Sequence, residues 1–380
     1  MRPLEGVRVV DFSTLLPGPL ATLMLVEAGA EVIKIERPGR GDEMRSYEPA
    51  FGGDAVNFGL LNRGKRSVAI DLKAPGAVER LMPLLREADV LVEQYRPGVM
   101  DRLGLGYEAL SAVNPGLVYC SITGYGQTGP KADSAGHDLN YVAESGMLSL
   151  AAGADGAPVL PAALVADIGG GTYPAVVNIL LALLERKRTG KGCRLDVAMA
   201  DNLFTFLYWA MGNGLAAGRW PRPGGELVTG GSPRYRIHRT ADGRFLAAAP
   251  LEDKFWAAFC AAIGLPEPLR DDSWNPQATD RAVAAIIGSR DADHWRAVFA
   301  GKDVCCSIVN SLEEALADPH VQARGLLDRR LAAPDGRSIP ALPTPIVPAL
   351  RGDDAEAGYP ALGEANHLLD RPAPAGGTAA

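Results

Sequence analysis

The sequence predicts an α/β protein in which a Rossmann-like large domain with a parallel sheet is followed by a smaller α+β domain. Through the first 200 residues, short apolar runs typical of strands alternate with helical patterns. That alternation indicates a parallel sheet with both faces covered by helices. After a link rich in Gly and Pro, the pattern changes to a hairpin followed by amphipathic helices. A length of 380 residues also suggests about two domains.

The large domain begins with a strand, a helix and a second strand, and the pattern then repeats. A turn at Gly29 separates the first helix from the second strand. The apolar runs that predict strands are residues 7–12, 31–35, 67–70, 90–93 and 117–122. The segments that predict helices are residues 19–27, 76–87, 171–188 and 203–215.

The small domain begins with two short strands around the turn Thr-Ala-Asp-Gly at 240–243. Three amphipathic helices follow, predicted at residues 254–263, 280–287 and 292–299. From about Arg329 the chain becomes rich in Pro and Ala. The predicted boundaries are 1–200 for the large domain, 201–222 for a helical linker, 223–317 for the small domain, 318–350 for a return segment and 351–380 for a flexible tail.

Composition and charge exclude several classes of protein. No run approaches the roughly 18 apolar residues that cross a bilayer, and the N-terminus is typical of a first strand. The five Cys show no CxxC spacing, which favours a reduced, cytoplasmic protein. A net charge of −7 argues against nucleic acid as a partner. We also see no residues at metal-ligand spacing, so no metal is expected.

The first β-α-β unit raises the question of a dinucleotide cofactor. The turn after its first strand, Ser-Thr-Leu-Leu-Pro-Gly-Pro at 13–19, lacks the pattern G-x-G-x-x-G. Pro17 and Pro19 also remove backbone N–H groups that a pyrophosphate would need. A nicotinamide enzyme is therefore not expected.

Basic residues recur where we expect the carboxyl edge of the sheet, the edge at which ligands of open α/β sheets bind. They are Arg37, Arg63, Lys65 and Arg96. Gathered in an acidic protein, they predict a site for a ligand with several phosphate charges, and guanidinium groups suit phosphate well. Taken one at a time, a basic residue at such a position is more often a solvated surface residue, and only Arg37 is equally well explained either way.

Three further segments carry residues suited to acid–base chemistry. Gly-His-Asp at 136–138 contains His137 and Asp138, and a lone His is most often a structural hydrogen-bonding residue. Asp167 precedes a glycine-rich helix start, where it serves either as an N-cap or as a carboxylate beside an approachable ligand site. Glu252 follows an apolar strand, as an N-cap neighbour or as a partner for a catalytic His.

At these residues the chain resembles the family III CoA-transferase superfamily, and within it the α-methylacyl-CoA racemases. The resemblance runs in order through roughly residues 4–330. The matching segments are residues 4–12, 17–19, 29–38, 62–67, 70–73, 95–106, 123–130 and 136–138, Asp167 with its glycines, and residues 190–192, 230–235, 242–245 and 251–256.

The resemblance implies an acyl-CoA substrate, with CoA as part of the substrate and no separate cofactor. It also implies an interlocked homodimer, so the chain's own second copy is the expected protein partner. Arg37, Arg63, Lys65, Arg96 and Asp138 would then bind the acyl-CoA.

The resemblance also assigns roles to the acid–base residues. In the racemases, His137 and Asp167 would flank the substrate and Glu252 would orient the His. In the transferases, the residue matching Asp167 is the nucleophile and the His is typically absent. The presence of all three residues favours a racemase that moves a proton at the α-carbon of a 2-methyl-branched acyl-CoA. The alternatives are CoA transfer through Asp167 and, with a purely structural His137, CoA binding without chemistry.

Overall fold

The computed structural model describes residues 2–153, 155–352 and 354–370. These residues form two compact units. The larger unit takes in the described residues of Met1–Ser145, Pro161–Phe206 and Gly325–Ala380, and the smaller unit those of Gly146–Leu160 and Leu207–Arg324. The described residues of 146–160, which lie inside the predicted range of the large domain, thus belong to the smaller unit.

A six-stranded parallel sheet forms the centre of the larger unit, and it confirms the predicted fold class. The strand order is β5-β2-β1-β6-β7-β8, while β3 and β4 pair separately as a short antiparallel hairpin. The strands are β1 (Arg8–Asp11), β2 (Glu31–Glu36), β3 (Ala50–Phe51), β4 (Asp54–Ala55), β5 (Arg66–Ala69), β6 (Val90–Glu93), β7 (Val118–Thr123) and β8 (Cys193–Ala198). Of the six strands of the sheet, sequence reasoning missed β8.

Strand β8 escaped prediction because it is the edge strand beside β7 and is only partly buried. Its first four residues alternate between half-buried and exposed, and Arg194 and Asp196 interrupt its apolar pattern. Central strands look different, since they are buried on both faces. Val9 and Val10 of β1 are both fully buried although their side chains point to opposite faces.

The helices pack on both sides of this sheet. A π-helix (Ala166–Thr172) runs directly into α7, and Pro17 at the first turn of α1 suits a helix start. The α-helices of the larger unit are α1 (Pro17–Glu27), α2 (Val56–Asn62), α3 (Ala77–Arg86), α4 (Val99–Arg102), α5 (Tyr107–Val113), α6 (Asp138–Glu144), α7 (Tyr173–Thr189) and α8 (Met199–Asn202).

The continuous helix 166–189 has the length and composition of a membrane span. Core helices of soluble proteins share this length and composition, and one face of α7 is buried in the larger unit. The buried residues of α7 are Ala175, Val176, Ile179, Ala182 and Leu183.

The C-terminal part of the described chain corrects the prediction of a flexible tail at 351–380. Strand β14 (Glu356–Gly358) pairs with β12 (Arg330–Ala332), which also pairs with β13 (Ser338–Pro340). Leu368 and Leu369 are buried in the core beside α3. The prediction is therefore wrong for residues 354–370, because apolar side chains within the Pro- and Ala-rich segment add to the core. Residues 371–380 lie outside the described residues.

The smaller unit contains an antiparallel sheet of order β11-β10-β9. Strands β9 (Arg236–Arg239) and β10 (Phe245–Ala248) form the predicted hairpin, and β11 (Cys306–Ile308) adds the third strand. Aromatic side chains that include Trp256, Phe259 and Trp295 fill the core. The helices are α9 (Tyr208–Ala217), α10 (Asp253–Ile263), α11 (Pro276–Ile287), α12 (Ala292–Phe299), α13 (Leu312–Ala317) and α14 (Pro319–Ala323).

A buried ionic network holds the loop between β1 and α1 in place. Lys65 Nζ lies 3.2 Å from Asp11 Oδ2 and 2.8 Å from Thr22 Oγ1 of α1, and the side chains of Asp11 and Lys65 are fully buried. Lys34 Nζ, also fully buried, donates to the Ser13 carbonyl oxygen at 2.7 Å and pairs with Asp42 at 2.9 Å. The charged groups are thus satisfied within the protein, and the loop is fixed at its start.

The same network sets the charge state of its central carboxylate. Burial by itself would raise the pKa of Asp11, but the ammonium groups of Lys65 and Lys34 outweigh it and lower that pKa to about 2. Burial lowers the pKa of Lys65 to about 8, against the attraction of Asp11. The ion pair is therefore present at neutral pH.

Candidate active site

A cavity of about 930 Å³ opens at the carboxyl edge of the sheet in the larger unit. Residues that follow β2, β5 and β6 line it, and apolar side chains such as Leu72, Tyr95 and Val99 form part of its wall. Its size is that of a site for a sizeable organic ligand, and its place at the carboxyl ends of parallel strands is where such ligands bind.

Three basic side chains line this cavity. Arg37 comes directly after β2, Lys73 follows β5, and Arg102 ends α4. All three are exposed, so their charges face solvent and are available to an anionic ligand. Arg37 was predicted from the sequence, whereas Lys73 and Arg102 were missed. Arg96, also predicted, is exposed but is not among the residues that line the cavity.

Arg63 and Lys65 lie elsewhere, and their predicted place at the carboxyl edge is wrong. Both precede β5, so their backbone lies at the amino edge of this parallel sheet. Arg63 is 3% exposed and donates to Glu27 at 2.6 Å and to the Leu342 carbonyl oxygen at 2.9 Å. Lys65 belongs to the buried network around Asp11. Their charges stabilise the fold, and neither side chain lines the carboxyl-edge cavity.

A second cluster in the larger unit brings His137, Asp138 and Asp167 together. The buried side chain of Asp138 accepts hydrogen bonds from the backbone N–H groups of Ala166 and Asp167, at 2.7 and 2.9 Å, through a single oxygen, Oδ1. It therefore caps the π-helix from a different element, α6, and fixes the backbone of Asp167. This finding gives Asp138 a positioning role, whereas the sequence predicted substrate binding.

Local packing explains why His137 and Asp167 are held in place. A Cβ atom at Gly136 would lie 2.7 Å from the ring of Tyr141, and the hydroxyl of Tyr141 donates to the Gly136 carbonyl oxygen at 2.6 Å. Beyond Asp167, a Cβ at Gly170 would lie 2.3 Å from the Met199 carbonyl oxygen. That glycine serves close packing of the helix, rather than ligand approach as the sequence suggested.

The environment of Asp167 makes it a stronger base than a solvated carboxylate. Burial, followed by the negative charge of Asp138, raises the pKa of Asp167 from 3.8 to about 6, and His137 acts in the opposite direction. His137 itself is exposed, and its backbone N–H donates to Asn140 Oδ1 at 3.0 Å. Asp167 is consequently able to exchange a proton near neutral pH.

Glu252 belongs to the smaller unit, where it is the exposed residue just before α10. It is at the N-cap position, but its side chain makes no capping hydrogen bond. Arg234, which sequence reasoning missed, holds the residues on both sides of it. Arg234 Nη1 donates to the Leu251 carbonyl oxygen at 3.0 Å and to Asp253 Oδ1 at 2.6 Å. The backbone around Glu252 is therefore fixed while its carboxylate remains exposed.

Among the described residues, no group of three or more His, Cys, Asp or Glu side chains is arranged to hold a metal ion.

Backbone N–H groups of the loop at 13–19 donate to side chains elsewhere in the larger unit. Leu15 donates to Asp42 Oδ1 at 3.1 Å, and Gly18 donates to Gln94 Oε1 at 3.0 Å. Since both N–H groups already have acceptors within the protein, they are not available to a pyrophosphate.

The family model described as CoA-transferase family III matches residues 4–366. The chain belongs to this family. It is 38% identical to a succinate–glutarate CoA-transferase of Agrobacterium fabrum, over 95% of this chain and 93% of that protein. It is 36% identical to the α-methylacyl-CoA racemase of Mus musculus, over 95% of this chain and 91% of the racemase. Relatives with two activities are thus about equally similar.

A solved structure of a family member has the same fold. The CaiB/BaiF family protein from Brucella suis superimposes with a TM-score of 0.80 at 32% sequence identity, and the match covers 97% of this chain and 98% of that one. The predicted membership of the family III CoA-transferase superfamily is confirmed. This chain is therefore an enzyme of CoA-transferase family III.

Replacing Asp138 with Asn is expected to lower the pKa of Asp167 in this family member. The substitution removes the negative charge that helps to raise that pKa, so the value should fall from about 6 toward the ordinary 3.8. The amide oxygen of Asn can still accept both backbone hydrogen bonds. A carbon-13 NMR titration of the Asp167 carboxyl, assigned with Asp167→Asn, measures the change.

The exposed Asp133 provides a matched control, since Asp133→Asn removes the same charge away from the π-helix. It should leave the Asp167 titration where it is. An unchanged or raised pKa in Asp138→Asn would show that the charge of Asp138 does not act on Asp167.

Proposed function

We propose that this chain is a racemase of 2-methyl-branched acyl-CoA thioesters that inverts the α-carbon by 1,1-proton transfer. The observation that carries the proposal is the pairing of Asp167, whose pKa is raised to about 6, with the neighbouring His137. Inversion needs one group to take the proton from one face and another to return it on the opposite face. A carboxylate that exchanges a proton near neutral pH and a histidine, the residue type used most often for general acid–base catalysis, meet this need.

The proton balance of the reaction is simple. One of the two side chains takes the α-proton, and the electron pair moves into the thioester carbonyl to give an enolate. The other side chain then gives its own proton to the opposite face, so the enzyme ends one turnover with the two protonation states exchanged. The N–H groups of Ala166 and Asp167 already bind Asp138, so the donors that stabilise the enolate lie elsewhere.

Transfer of CoA between carboxylic acids is the second candidate, and the relative from Agrobacterium fabrum favours it. In that reaction the Asp167 carboxylate attacks the thioester to give an acyl-aspartyl anhydride and release CoA, and the CoA thiolate then attacks the aspartyl carbonyl, which frees the donor acid and leaves an aspartyl-CoA thioester. The acceptor carboxylate attacks this thioester to give a second anhydride and CoA, and CoA attacks the acceptor carbonyl to give the new acyl-CoA and free Asp167. The raised pKa of Asp167 also suits a carboxylate nucleophile, whereas His137 has no required part. The two functions therefore differ in their need for His137 and for an acceptor acid.

In D₂O, one epimer of a 2-methylacyl-CoA should gain deuterium at the α-carbon and lose its stereochemical purity while the thioester remains intact. No second acid should be needed, because proton exchange uses only the substrate and the enzyme. Proton NMR and chiral chromatography of the product measure both changes. CoA transfer that requires an acceptor, without deuterium at the α-carbon, would reject the racemase and support the transferase.

Variants of the three acid–base residues refine this test. His137→Ala and Asp167→Ala should each slow racemisation by about 100-fold or more, because each removes the acid or base of one face. Exchange on the remaining face is expected to persist.

Glu252→Gln should reduce turnover more than binding if Glu252 orients His137, and Glu267→Gln, in the same unit, serves as its control. A transferase would lose activity in Asp167→Ala and keep it in His137→Ala.

We further propose that the carboxyl-edge cavity binds the nucleotide part of CoA. Its volume suits a large ligand, and Arg37, Lys73 and Arg102 can each pair with a phosphate group. Four carboxylates also line the cavity: those of Glu36 and Asp42 are paired with Arg45 and Lys34, and those of Glu43 and Asp71 belong to exposed residues. Arg37 lies directly after β2, the position from which Rossmann-like folds commonly contact the ribose. CoA is then a part of the substrate, and no separate cofactor is required.

Arg37→Gln should weaken binding of an acyl-CoA several-fold, because it removes one charge-assisted contact to phosphate. The same thioester on a pantetheine arm without the nucleotide should bind equally well to both proteins. Arg96→Gln, at an exposed site that does not line the cavity, should have the smaller effect on acyl-CoA affinity. Isothermal titration calorimetry measures these affinities, and normal acyl-CoA binding by Arg37→Gln would place the nucleotide elsewhere.

The working form of the protein, we propose, is a homodimer of interlocked chains. The face of α7 opposite its buried side carries large apolar residues, and Val177, Leu181 and Leu184 are 54%, 58% and 63% exposed. Contiguous apolar surface of this kind is typical of protein–protein interfaces. A second copy of the chain is the occupant that the resemblance implies, and its covering of this face would bury these side chains.

Sedimentation should give the mass of two chains over a wide range of dilution, because interlocked chains separate only after partial unfolding.

The double substitution of Leu181 and Leu184 by Lys should weaken the dimer or prevent its assembly, because it places two charges on the apolar face of α7. Leu312→Lys, at an exposed leucine of the smaller unit, should leave it intact. A stable and active single chain would contradict the proposal.

A further inference from the structure

A second cavity, of about 190 Å³, lies at the amino edge of the sheet, at the opposite ends of the strands from the proposed CoA site. It is built where α1 ends, where β5 begins and where the segment that carries β12 and β14 returns to the larger unit. Neither the proposed racemase chemistry nor CoA binding uses it. Its lining includes Arg2, Glu27, Arg63, Arg329, Arg330 and Asp354.

The charges around this cavity do not balance among the described residues. Four of the residues that line it are arginines and two are carboxylates. The Arg330 guanidinium donates to Ser338 Oγ at 3.1 Å and to the Ser338 carbonyl oxygen at 2.7 Å in the β12–β13 hairpin. Without Arg330, three guanidinium groups face two carboxylates, which leaves an excess of one positive charge. Arg351, just outside the lining, adds another, because its Nε lies 3.7 Å from Glu27 Oε2. Positive charges in excess near a protein interior are unfavourable unless an anion accompanies them.

The convergence on Glu27 shows this imbalance most clearly. The carboxylate of Glu27 is nearly buried. It accepts a hydrogen bond from Arg63 Nη2 at 2.6 Å, and the Nε atoms of Arg329 and Arg351 each lie 3.7 Å from one of its oxygens. One carboxylate thus faces three guanidinium groups. Burial is the main cause that lowers the pKa of Arg63, and the positive charges of Arg329 and Arg351 act in the same direction. Together they outweigh the contact with Glu27, which acts to raise that pKa. The positive charge in this region is therefore only partly neutralised by the described side chains.

Main-chain contacts hold the arginines in place around the cavity. Arg329 Nη1 donates to the Gly352 carbonyl oxygen at 3.0 Å, and a Cβ at Gly352 would lie 2.9 Å from Arg2 Nε. The absence of a side chain at Gly352 thus lets the Arg2 guanidinium reach the cavity wall. Arg2 Nη2 in turn donates to Asp354 at 2.9 Å. The basic groups are ordered before any ligand arrives, which reduces the entropy cost of binding.

We propose that this amino-edge cavity binds a small divalent oxyanion, with inorganic phosphate or sulfate as its simplest forms. Guanidinium forks match the oxygens of such an anion in pairs, and several of them converge here. With a volume of about 190 Å³, the cavity has room for a tetrahedral anion and accompanying waters. The bound anion would join the return segment to the end of α1 and to the start of β5.

Thermal unfolding and calorimetric titration with sodium phosphate, at constant ionic strength set by sodium chloride, test the site. Phosphate should raise the unfolding temperature of the whole protein in a saturable way, because a ligand that binds only the folded state stabilises it. Sulfate should do the same. Arg329→Gln should weaken phosphate binding about tenfold or more through loss of a charge-assisted contact. Its side chain is 25% exposed, so the variant should fold.

Two matched variants locate the effect. Arg337→Gln removes the same charge from an exposed arginine of the β12–β13 hairpin that pairs with Asp335, and it should bind phosphate like the wild type. Arg37→Gln, at the carboxyl-edge cavity, should also keep the response. Arg2→Gln, at a side chain that is 44% exposed, provides a second variant of the site and should weaken binding as Arg329→Gln does.

Two results would overturn the proposal. If Arg37→Gln abolishes the phosphate effect while Arg329→Gln retains it, the anion binds at the proposed CoA site. If phosphate and sulfate give the wild type no saturable stabilisation, side chains of the protein itself already neutralise the cavity. Neither result depends on whether the enzyme racemises acyl-CoA or transfers CoA, so the inference stands or falls separately from the proposed function.

Discussion

The fold of the larger unit depends on the buried ion pair between Asp11 and Lys65. Asp11 ends the central strand β1, and its two oxygens bind the Ser13 backbone, Thr22 of α1 and Lys65 ahead of β5. A single carboxylate therefore joins the middle of the sheet, the first helix and the edge strand. An uncompensated buried charge would be strongly destabilising, so each member of the network requires the others. The loop that leads into α1 is held in place by the same contacts.

The larger unit separates two kinds of arginine at the two edges of one parallel sheet. At the carboxyl edge, Arg37 and Arg102 are exposed around a wide cavity and can meet a large anionic ligand. At the amino edge, Arg63 is buried against Glu27 and works within the protein. The difference lies in burial and in the available partners, because the residue type is the same.

Asp138 links the geometry of the catalytic candidate to its chemistry. One carboxylate oxygen fixes the first turn of the π-helix by accepting two backbone hydrogen bonds, and the same negative charge raises the pKa of Asp167. Position and basicity of Asp167 are thus coupled through a neighbour on α6. In either candidate reaction, a carboxylate that is partly desolvated and rigidly held is more effective than one on a mobile surface.

The sequence alone determined the alternation of strands and helices, the hairpin of the smaller unit and the family, because apolar periodicity and motifs are local properties of the chain. It also singled out Arg37, His137 and Asp167. Arg63 and Lys65 precede the strand predicted at 67–70, so the direction of a parallel sheet already puts them at its amino edge, and the expectation of the carboxyl edge was wrong. Only the tertiary structure showed that their charges are buried against Glu27 and Asp11, since these partners are far away in the sequence. Two further contacts also join residues from different parts of the chain. Asp138 caps the π-helix, and Arg234 donates hydrogen bonds to the residues on both sides of Glu252. Edge strand β8 escaped prediction because Arg194 and Asp196 interrupt its apolar pattern. Residues 354–370 escaped it because their burial comes from distant partners, which local composition does not record.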